Sequence, residues 1–273
     1  MHPSDVHPDL TRLASSFVYG CASALPGLLR PVHLTGSGLT ADWQPRNSDI
    51  DLVLVVSRDI TVDDAAILQA LHSGSMGSNP VDGIYLTEEQ LFHGPDLVAA
   101  APQSVDGKFS LSVAHGQLNW VTWLEVESGL QATVPAHGMV AWTPSDLRFT
   151  DTAGNAGRFC RRNLTSYWLV VAGQAEAALA GRARDSSAST EMVVWTTLGP
   201  PRLAATIDTG MVISKTEAGR FAARRWPRHA SLADRAVASR SGEAEAFTVA
   251  DALESVDLLR AIAARYHENP HTL

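Results

Sequence analysis

The sequence has little cysteine and no long apolar run. Cys21 and Cys160 are the only cysteines among 273 residues, which is too few for a disulfide framework and wrongly spaced for a zinc site. No stretch approaches the roughly 20 apolar residues needed to cross a bilayer, and the first ten residues lack a basic-then-apolar signal pattern. We therefore expect a cytoplasmic protein with no membrane partner.

Basic residues are also scarce. The chain has 21 Lys and Arg against 29 Asp and Glu, a net charge of −8. A nucleic-acid partner would favour a basic surface, so this balance argues against one and fits a small cationic ligand better. A hydrophobic content of 45% is ample for a core and suits two compact units. Composition leaves open whether the chain is a monomer or a homodimer.

The hydrophobic periodicity predicts an α+β protein with a mixed front half and a helical back half. In the front half it predicts a helix over 9–30, strands over 32–35, 50–56 and 81–86, a helix over 61–72 and a loop over 73–80. Residues 88–155 are ambiguous, with a strand or short helix over 118–126. In the back half it predicts helices over 158–181, 190–208, 216–225, 231–239 and 246–266. The predicted domains are 1–155 and 156–273.

Two short motifs flank a polar loop in the front half. Gly36-Ser37 follows the first strand, and eleven residues later Asp49-Ile50-Asp51 opens the second. Side chains of a strand alternate, so Asp49 and Asp51 project together. Adjacent carboxylates are costly to ionise without a cation, and Mg²⁺ binds one or two carboxylates together with phosphates. Gly36 allows close approach of the backbone, and Ser37 adds phosphate donors.

A third carboxylate is expected on the next strand. Asp82 could approach Asp49 and Asp51 if the two strands are neighbours, either as a second metal ligand or as the general base. The alternative is a strand-end Asp facing solvent. Glu88 and Glu89 are the other candidates, although acidic residues are ordinary after a helix-start cap such as Thr87.

Gly36-Ser37 with Asn47-Ser48-Asp49-Ile50-Asp51-Leu52 resembles the aminoglycoside nucleotidyltransferases, especially the streptomycin and spectinomycin adenylyltransferases. A second segment, from Pro201-Arg202 through Thr209-Gly210 to Lys215, is similar to that family's helical domain. The resemblance implies a polymerase-β-like nucleotidyltransferase domain followed by an all-α helical bundle. It covers nearly the whole chain and is weak over 90–155.

The resemblance also implies roles for particular residues. Gly36, Ser37 and Ser48 would contact the phosphates of ATP, and Asp49 and Asp51 would bind Mg²⁺. Arg202 and Lys215 would reach the triphosphate from the helical domain. Without the resemblance, Arg202 reads as a surface ion-pair residue and Lys215 as a solvated residue at a helix start.

The chain departs from the family at two places. Asp82 stands where the family has Glu, so its carboxylate has about one methylene less reach. The run 174–190 is insertion-like, and Trp168 and Glu191 are the nearest candidates for the drug pocket, although a tryptophan at such a position is more often a core residue than a ligand platform. The segments 119–120 and 123–125 form another possible pocket wall, although aromatic side chains usually pack inward.

The predicted function is Mg²⁺-dependent transfer of AMP from ATP to a hydroxyl of a small cationic aminoglycoside or aminocyclitol antibiotic, conferring resistance. One alternative is a nucleotidyltransferase with another small-molecule acceptor or a protein acceptor. Another is a nucleotide-binding protein that has lost catalysis, which the change at Asp82 could indicate.

Overall fold

The computed structural model describes residues 1–75, 79–135 and 138–267. Its contacts divide the chain into two compact units, Met1–Thr152 and Ala153–Leu273. The predicted domain boundary after residue 155 stays a prediction. No helix within the described ranges is both long and apolar enough to cross a membrane.

The first unit contains a mixed sheet, as expected. Its strands are β1 (Leu29–Leu34), β2 (Ile50–Val56), β3 (Val81–Thr87), β4 (Ala101–Val105), β5 (Lys108–Val113), β6 (Leu130–Ala132) and β7 (Thr143–Pro144). Within the described residues the strand order is β5-β4-β3-β2-β1-β6-β7. Only the β2–β3 pair is parallel among these strands. The helices of this unit are α1 (Pro8–Ala24), α2 (Gly36–Leu39), α3 (Val62–Gly74), α4 (Glu88–His93) and α5 (Trp120–Ser128).

The predicted first helix was too long. It ends at Ala24, and residues 29–30 already belong to β1. Pro26 and Gly27 cause this break, because proline cannot continue the helix and Gly27 takes a φ of 76°. Pro31 is tolerated inside the strand because it lies where the β1–β2 register shifts, between Leu29 and Val32.

Both faces of β2 are buried, which explains its unbroken apolar run. Leu52, Leu54 and Val56 pack in one core cluster with α1, whereas Val53 and Val55 pack in another with Trp123 of α5. Asp51 has the parity of Val53 and Val55. It therefore belongs to the face covered by α5.

The second unit is helical, as expected. Its helices are α6 (Thr152–Asn163), α7 (Leu169–Leu179), α8 (Thr190–Thr209), α9 (Lys215–Arg225), α10 (Ala230–Arg240) and α11 (Val249–Tyr266). A π-helical segment, Leu164–Trp168, joins α6 to α7, so the predicted helix over 158–181 is one continuous helical stretch with a π-bulge. Part of the predicted loop over 73–80 lies outside the described residues, since 76–78 are not among them.

Candidate active site

Asp49, Asp51 and Asp82 lie where the neighbouring strands β2 and β3 begin. We call these three residues the acidic edge. Asp51 on β2 is in register with Asp82 on the parallel strand β3, so their side chains lie side by side on the same face. Asp49 stands two residues before Asp51, just outside the strand, and is exposed. The sequence allowed Asp82 to approach the first two aspartates if the two strands were neighbours, and this register shows that they are.

The electrostatics of Asp82 follow from this arrangement. The side chain is 6% exposed, and burial raises its pKa to about 7, with the charges of Asp51 and Asp49 acting in the same direction. The Asp106 amide donates to Asp82 Oδ1 at 2.9 Å and opposes the rise. Asp82 is thus a buried carboxylate whose pKa the other two raise, and not a solvated residue at a strand end.

Asp51 leaves no room for a side chain at position 36. The φ of Gly36 is 62°, and a Cβ placed on it would lie 2.0 Å from Asp51 Oδ2. The Thr35 amide also donates to the Asp51 carbonyl at 3.0 Å. The sequence predicted that the backbone at Gly36 would approach a ligand closely. In the structure it closely approaches the carboxylate of Asp51, a candidate metal ligand.

Ser37 and Ser48 occupy different environments. Ser37 is half-buried in the first turn of α2, directly after Gly36. Ser48 is buried, and its hydroxyl accepts from the Gln44 amide at 3.1 Å, so it also braces the loop before Asp49.

Two side chains that the sequence did not indicate hold this loop. Asn79 Nδ2 donates to the Ser48 carbonyl at 2.6 Å, and its Oδ1 accepts from the Arg46 amide at 2.9 Å. Trp43 Nε1 donates to the Asp49 carbonyl at 3.1 Å. A polar residue before Pro80 at the start of β3 was the available signal for Asn79, but its partners lie over 30 residues away.

Gln69, a third residue that the sequence did not indicate, supports Asp82 indirectly through the β4–β5 hairpin. The β4–β5 hairpin turns at Asp106-Gly107, both with positive φ, which presents the Asp106 amide to Asp82. Gln69 of α3 holds this hairpin, donating to the Gly107 carbonyl at 2.7 Å and accepting from the Phe109 amide at 2.9 Å. Gln69 therefore positions the donor to Asp82.

The other acidic candidates are not brought to this edge. Glu88 and Glu89 are exposed in the first turn of α4, where Thr87 and Gln90 form the expected capping box. They follow the opposite end of β3 from Asp82, about 17 Å along the strand at roughly 3.3 Å per residue.

The front-half tryptophans pack inward. Trp123 is fully buried and donates to the Leu91 carbonyl at 2.7 Å, and Trp120 donates to Asp96 Oδ2 at 2.8 Å. Asn119 caps α5 through the Val121 amide. The possible pocket wall over 119–125 is therefore mainly a capped, inward-packed helix, with Glu125 also buried.

In the helical unit, Arg202 and Lys215 belong to the two helices that flank the loop 210–214. Gly210 ends α8 in a left-handed cap, and Ser214 starts α9 with a capping box to Glu217. Arg202 Nε donates to the Ile213 carbonyl at 3.0 Å, two residues before Lys215. The Arg, Thr-Gly and Lys motif thus folds as part of α8, its glycine cap and the start of α9, with Arg202 bonded to the loop between the two helices.

Trp168 is a core residue. It is 6% exposed, and a Cβ on Gly199 would lie 2.5 Å from its ring. The Trp195 ring packs against it in a tilted arrangement, with 4.5 Å between centroids, and keeps 38% of its surface exposed. Trp195 follows Glu191 by one helical turn on α8, so the sequence could have indicated Trp195 by its i, i+4 spacing.

The acidic edge fits a divalent cation. Mg²⁺ commonly binds one or two carboxylates, such as Asp49 and Asp51, together with phosphate oxygens, and the charges of these two disfavour ionisation of Asp82. In the part of the chain that the structure describes, no group of three or more His, Cys, Asp or Glu could hold a metal by itself. Asp49 and Asp51 would therefore share the ion with phosphate oxygens of a nucleotide, as Mg²⁺ sites commonly do.

The mixed sheet, the helical unit and the acidic edge define a protein with the fold of an aminoglycoside nucleotidyltransferase. Neither a protein-family model nor a curated protein matches the sequence. Among solved structures, the chain is similar to spectinomycin adenyltransferase AAD(9) from Enterococcus faecialis, crystallised with ATP and spectinomycin. The TM-score is 0.61 at 15% identity, covering 94% of this chain and 98% of that one. The resemblance drawn from the motifs is confirmed for the fold.

Proposed function

We propose that the chain transfers AMP from ATP to a hydroxyl of an aminoglycoside or aminocyclitol antibiotic of the streptomycin or spectinomycin type, and so confers resistance. The observation that carries this proposal is the register of Asp51 with Asp82, beside Asp49 and against Gly36. The structural similarity to an adenyltransferase crystallised with ATP and spectinomycin supports it.

In this proposal the nucleotide site is built on the sheet edge. Asp49 and Asp51 would hold Mg²⁺, which would neutralise charge on the phosphates. Gly36, Ser37 and Ser48 contact the phosphates, and Arg202 and Lys215 add cationic donors for the triphosphate. An Arg fork and a Lys point charge suit that work because phosphoryl-type transfer depends on positioning and on charge neutralisation.

Asp82 is proposed to start the transfer. It accepts the proton of the acceptor hydroxyl, directly or through one water. The acceptor oxygen then forms a bond to the α-phosphorus, the bond from that phosphorus to the bridging oxygen breaks, and pyrophosphate leaves with the electron pair. Because Asp has less reach than the Glu of the family, a bridging water or a role as a second metal ligand is the alternative for this residue.

The acceptor surface is proposed to include Glu191, as the resemblance implies, and Trp195. Their spacing on α8 offers an anionic group and an aromatic face, which together suit a cationic ligand. We place Trp168 behind them as packing support, since it is buried.

The test is an acceptor panel with Mg-ATP, scored by pyrophosphate release and product mass. Streptomycin, spectinomycin and other aminocyclitols form the panel. We expect acceptor-dependent release and an adenylylated product with at least one of them. Release with a different acceptor class would support a nucleotidyltransferase of other specificity.

A nucleotide-binding protein without transfer activity is the second candidate. The observation that favours it is the burial of Asp82, whose Oδ1 already accepts the Asp106 amide. Calorimetry separates the two candidates, since this one predicts binding of Mg-ATP with no turnover on any acceptor.

A further inference from the structure

A cavity in the helical unit is lined mainly by arginines. Its volume is about 340 Å³, and its walls are Arg158, Arg161, Arg162, Thr165 and His267. We refer to these five residues as the arginine pocket. None of them belongs to the acidic edge or to the Arg202 and Lys215 loop.

Helical periodicity brings the pocket together. Arg158, Arg161, Arg162 and Thr165 stand at positions i, i+3, i+4 and i+7, which share one face of a helix. The face crosses from α6 into the π-helical segment. There the Thr165 hydroxyl donates to the carbonyls of Arg161 and Arg162, at 3.2 and 3.1 Å. Segments of this kind occur frequently at functional sites.

The local charge is unusual for this chain. The net charge is −8, yet residues 152–179 contain three Arg and no Lys, Asp or Glu besides Glu176. Glu176 pairs with Arg260 of α11, at 2.6 and 2.9 Å. Arg158, Arg161 and Arg162 stand at i, i+3 and i+4, so their like charges lie near one another on one face of the helix.

One arginine of the cluster is held in place. The Arg161 guanidinium lies 5.9 Å from the centroid of the Tyr266 ring, within reach of a cation–π contact. The Tyr266 hydroxyl in turn donates to Asp208 Oδ2 at 2.8 Å. Part of the donor geometry is thus set by the fold before a ligand arrives.

We propose that the arginine pocket binds a small polyphosphate, either free pyrophosphate or the phosphate tail of a nucleotide. Guanidinium forks match phosphate oxygens bidentately, and three of them suit a chain of two or three phosphates. The volume is that of a small-molecule site. A nucleic-acid backbone fits less well, because the remainder of the chain is acidic.

The experiment is calorimetric titration of pyrophosphate into the full chain without divalent metal. The starting protein carries Asp49→Asn and Asp51→Asn, so no metal-dependent turnover intervenes, and the arginine substitutions below separate the arginine pocket from the proposed nucleotide site. Adding Arg161→Gln and Arg162→Gln should weaken binding by about tenfold to a hundredfold, as expected for lost hydrogen bonds between charged groups. Arg224→Gln, an exposed arginine of α9, is the matched control and should change the affinity less than about twofold.

Three results of this titration would overturn the proposal. One is affinity unchanged by the double arginine substitution. Another is an equal loss in the Arg224→Gln control, which indicates nonspecific attraction. The third is equal binding of citrate, which removes the phosphate specificity. A failure of acceptor-dependent turnover in the wild-type chain would concern the proposed function and not this site.

A footprint locates the ligand and keeps the test valid if Arg161→Gln disturbs packing on Tyr266. Pyrophosphate should protect Arg158, Arg161 and Arg162 from phenylglyoxal and leave Arg224 reactive. Equal protection of all four, or of none, contradicts the proposal.

Comparing the affinities for ATP and tripolyphosphate shows whether the ligand is a nucleotide or a free polyphosphate. Tighter ATP binding supports a nucleotide, and equal binding supports a free polyphosphate.

Discussion

Gly36 is the residue on which the geometry of the acidic edge depends most directly. We expect Gly36→Ala to abolish most turnover, because its Cβ would lie 2.0 Å from Asp51 Oδ2 and displace that carboxylate. Gly27→Ala is the matched control. Gly27 also has a positive φ, 76°, but nothing lies within 4 Å of an added Cβ.

Both alanine variants should lose about 1–2 kcal/mol of unfolding free energy from the backbone conformation. Only Gly36→Ala should lose activity. Denaturant unfolding and pyrophosphate release measure the two quantities, and an active Gly36→Ala variant would contradict the role of Gly36.

Asp82 differs from Asp49 and Asp51 in its expected effect on binding. In the proposed mechanism, Asp82→Asn should remove turnover while Mg-ATP still binds, whereas Asp49→Asn or Asp51→Asn should weaken Mg-ATP binding as well. Calorimetry and pyrophosphate release measure these effects. If Asp82→Asn weakens Mg-ATP binding as strongly as Asp51→Asn, Asp82 is a metal ligand and the base lies elsewhere.

His72 makes folding stability depend on pH. It is fully buried between the Val81 carbonyl and the Tyr85 hydroxyl, at 2.8 Å each, and burial lowers its pKa to about 4. Because the folded-state pKa lies below the unfolded value of 6.5, the unfolded chain binds the proton first as pH falls. The contribution is fully present above pH 6.5 and is lost between about 6.5 and 4.

We therefore expect the unfolding free energy to fall across this window by about 1.4 kcal/mol per pH unit for each such histidine. His33 is the second, since burial also lowers its pKa to about 4. Denaturant unfolding at several pH values should show a slope that is smaller by about one proton in His72→Gln. An unchanged slope would mean that His72 does not titrate in this way.

At the scale of elements, the β4–β5 hairpin connects α3 to the site. Gln69→Ala removes the two hydrogen bonds to this hairpin, worth about 1 kcal/mol each, and loosens the Asp106 amide beside Asp82. We expect turnover to fall severalfold while the affinity for Mg-ATP is kept.

Ser73→Ala is the matched control for Gln69. The Ser73 hydroxyl reaches the same Gly107 carbonyl, but only at 3.3 Å. It should change turnover little. Equal turnover in Gln69→Ala and the wild type would remove the link between the hairpin and catalysis.

Elements with a clear period were predictable from the sequence. The buried run of β2, the crossover helix α3 and the strand β3 follow from apolar spacing, and their succession predicted that Asp51 and Asp82 would be neighbours. The back-half helices were predictable for the same reason. The predicted end of the first helix was wrong because Leu28 and Leu29 fit both a helical and a strand period. The turn at Pro26-Gly27 ends the helix before them.

Residues that act through distant polar contacts were not predictable. Asn79, Trp43 and Gln69 carry no periodic signal, and each is recognised only when the fold brings its partners together. The segment 88–155 was ambiguous because its short strands and helices alternate with Gly and Pro. The burial of Trp168 likewise depends on Gly199, over 30 residues away.

At the scale of the whole molecule, each compact unit has its own core. Val53 and Trp123 belong to a cluster of the first unit, and Leu164 and Ile262 to one of the second. We expect residues 1–152 and 153–273, expressed separately, each to unfold cooperatively. Circular dichroism during thermal denaturation measures this, and a fragment without a transition would show that it needs the other unit to fold.

The central claim is adenylyl transfer to an antibiotic hydroxyl, and acceptor-dependent pyrophosphate release tests it most directly. With Mg-ATP and spectinomycin or streptomycin, the account predicts release by the wild-type chain, an AMP-bearing product by mass, and no release after Asp51→Asn or with chelator. Wild-type protein that binds Mg-ATP but releases no pyrophosphate with any aminocyclitol or aminoglycoside would contradict it.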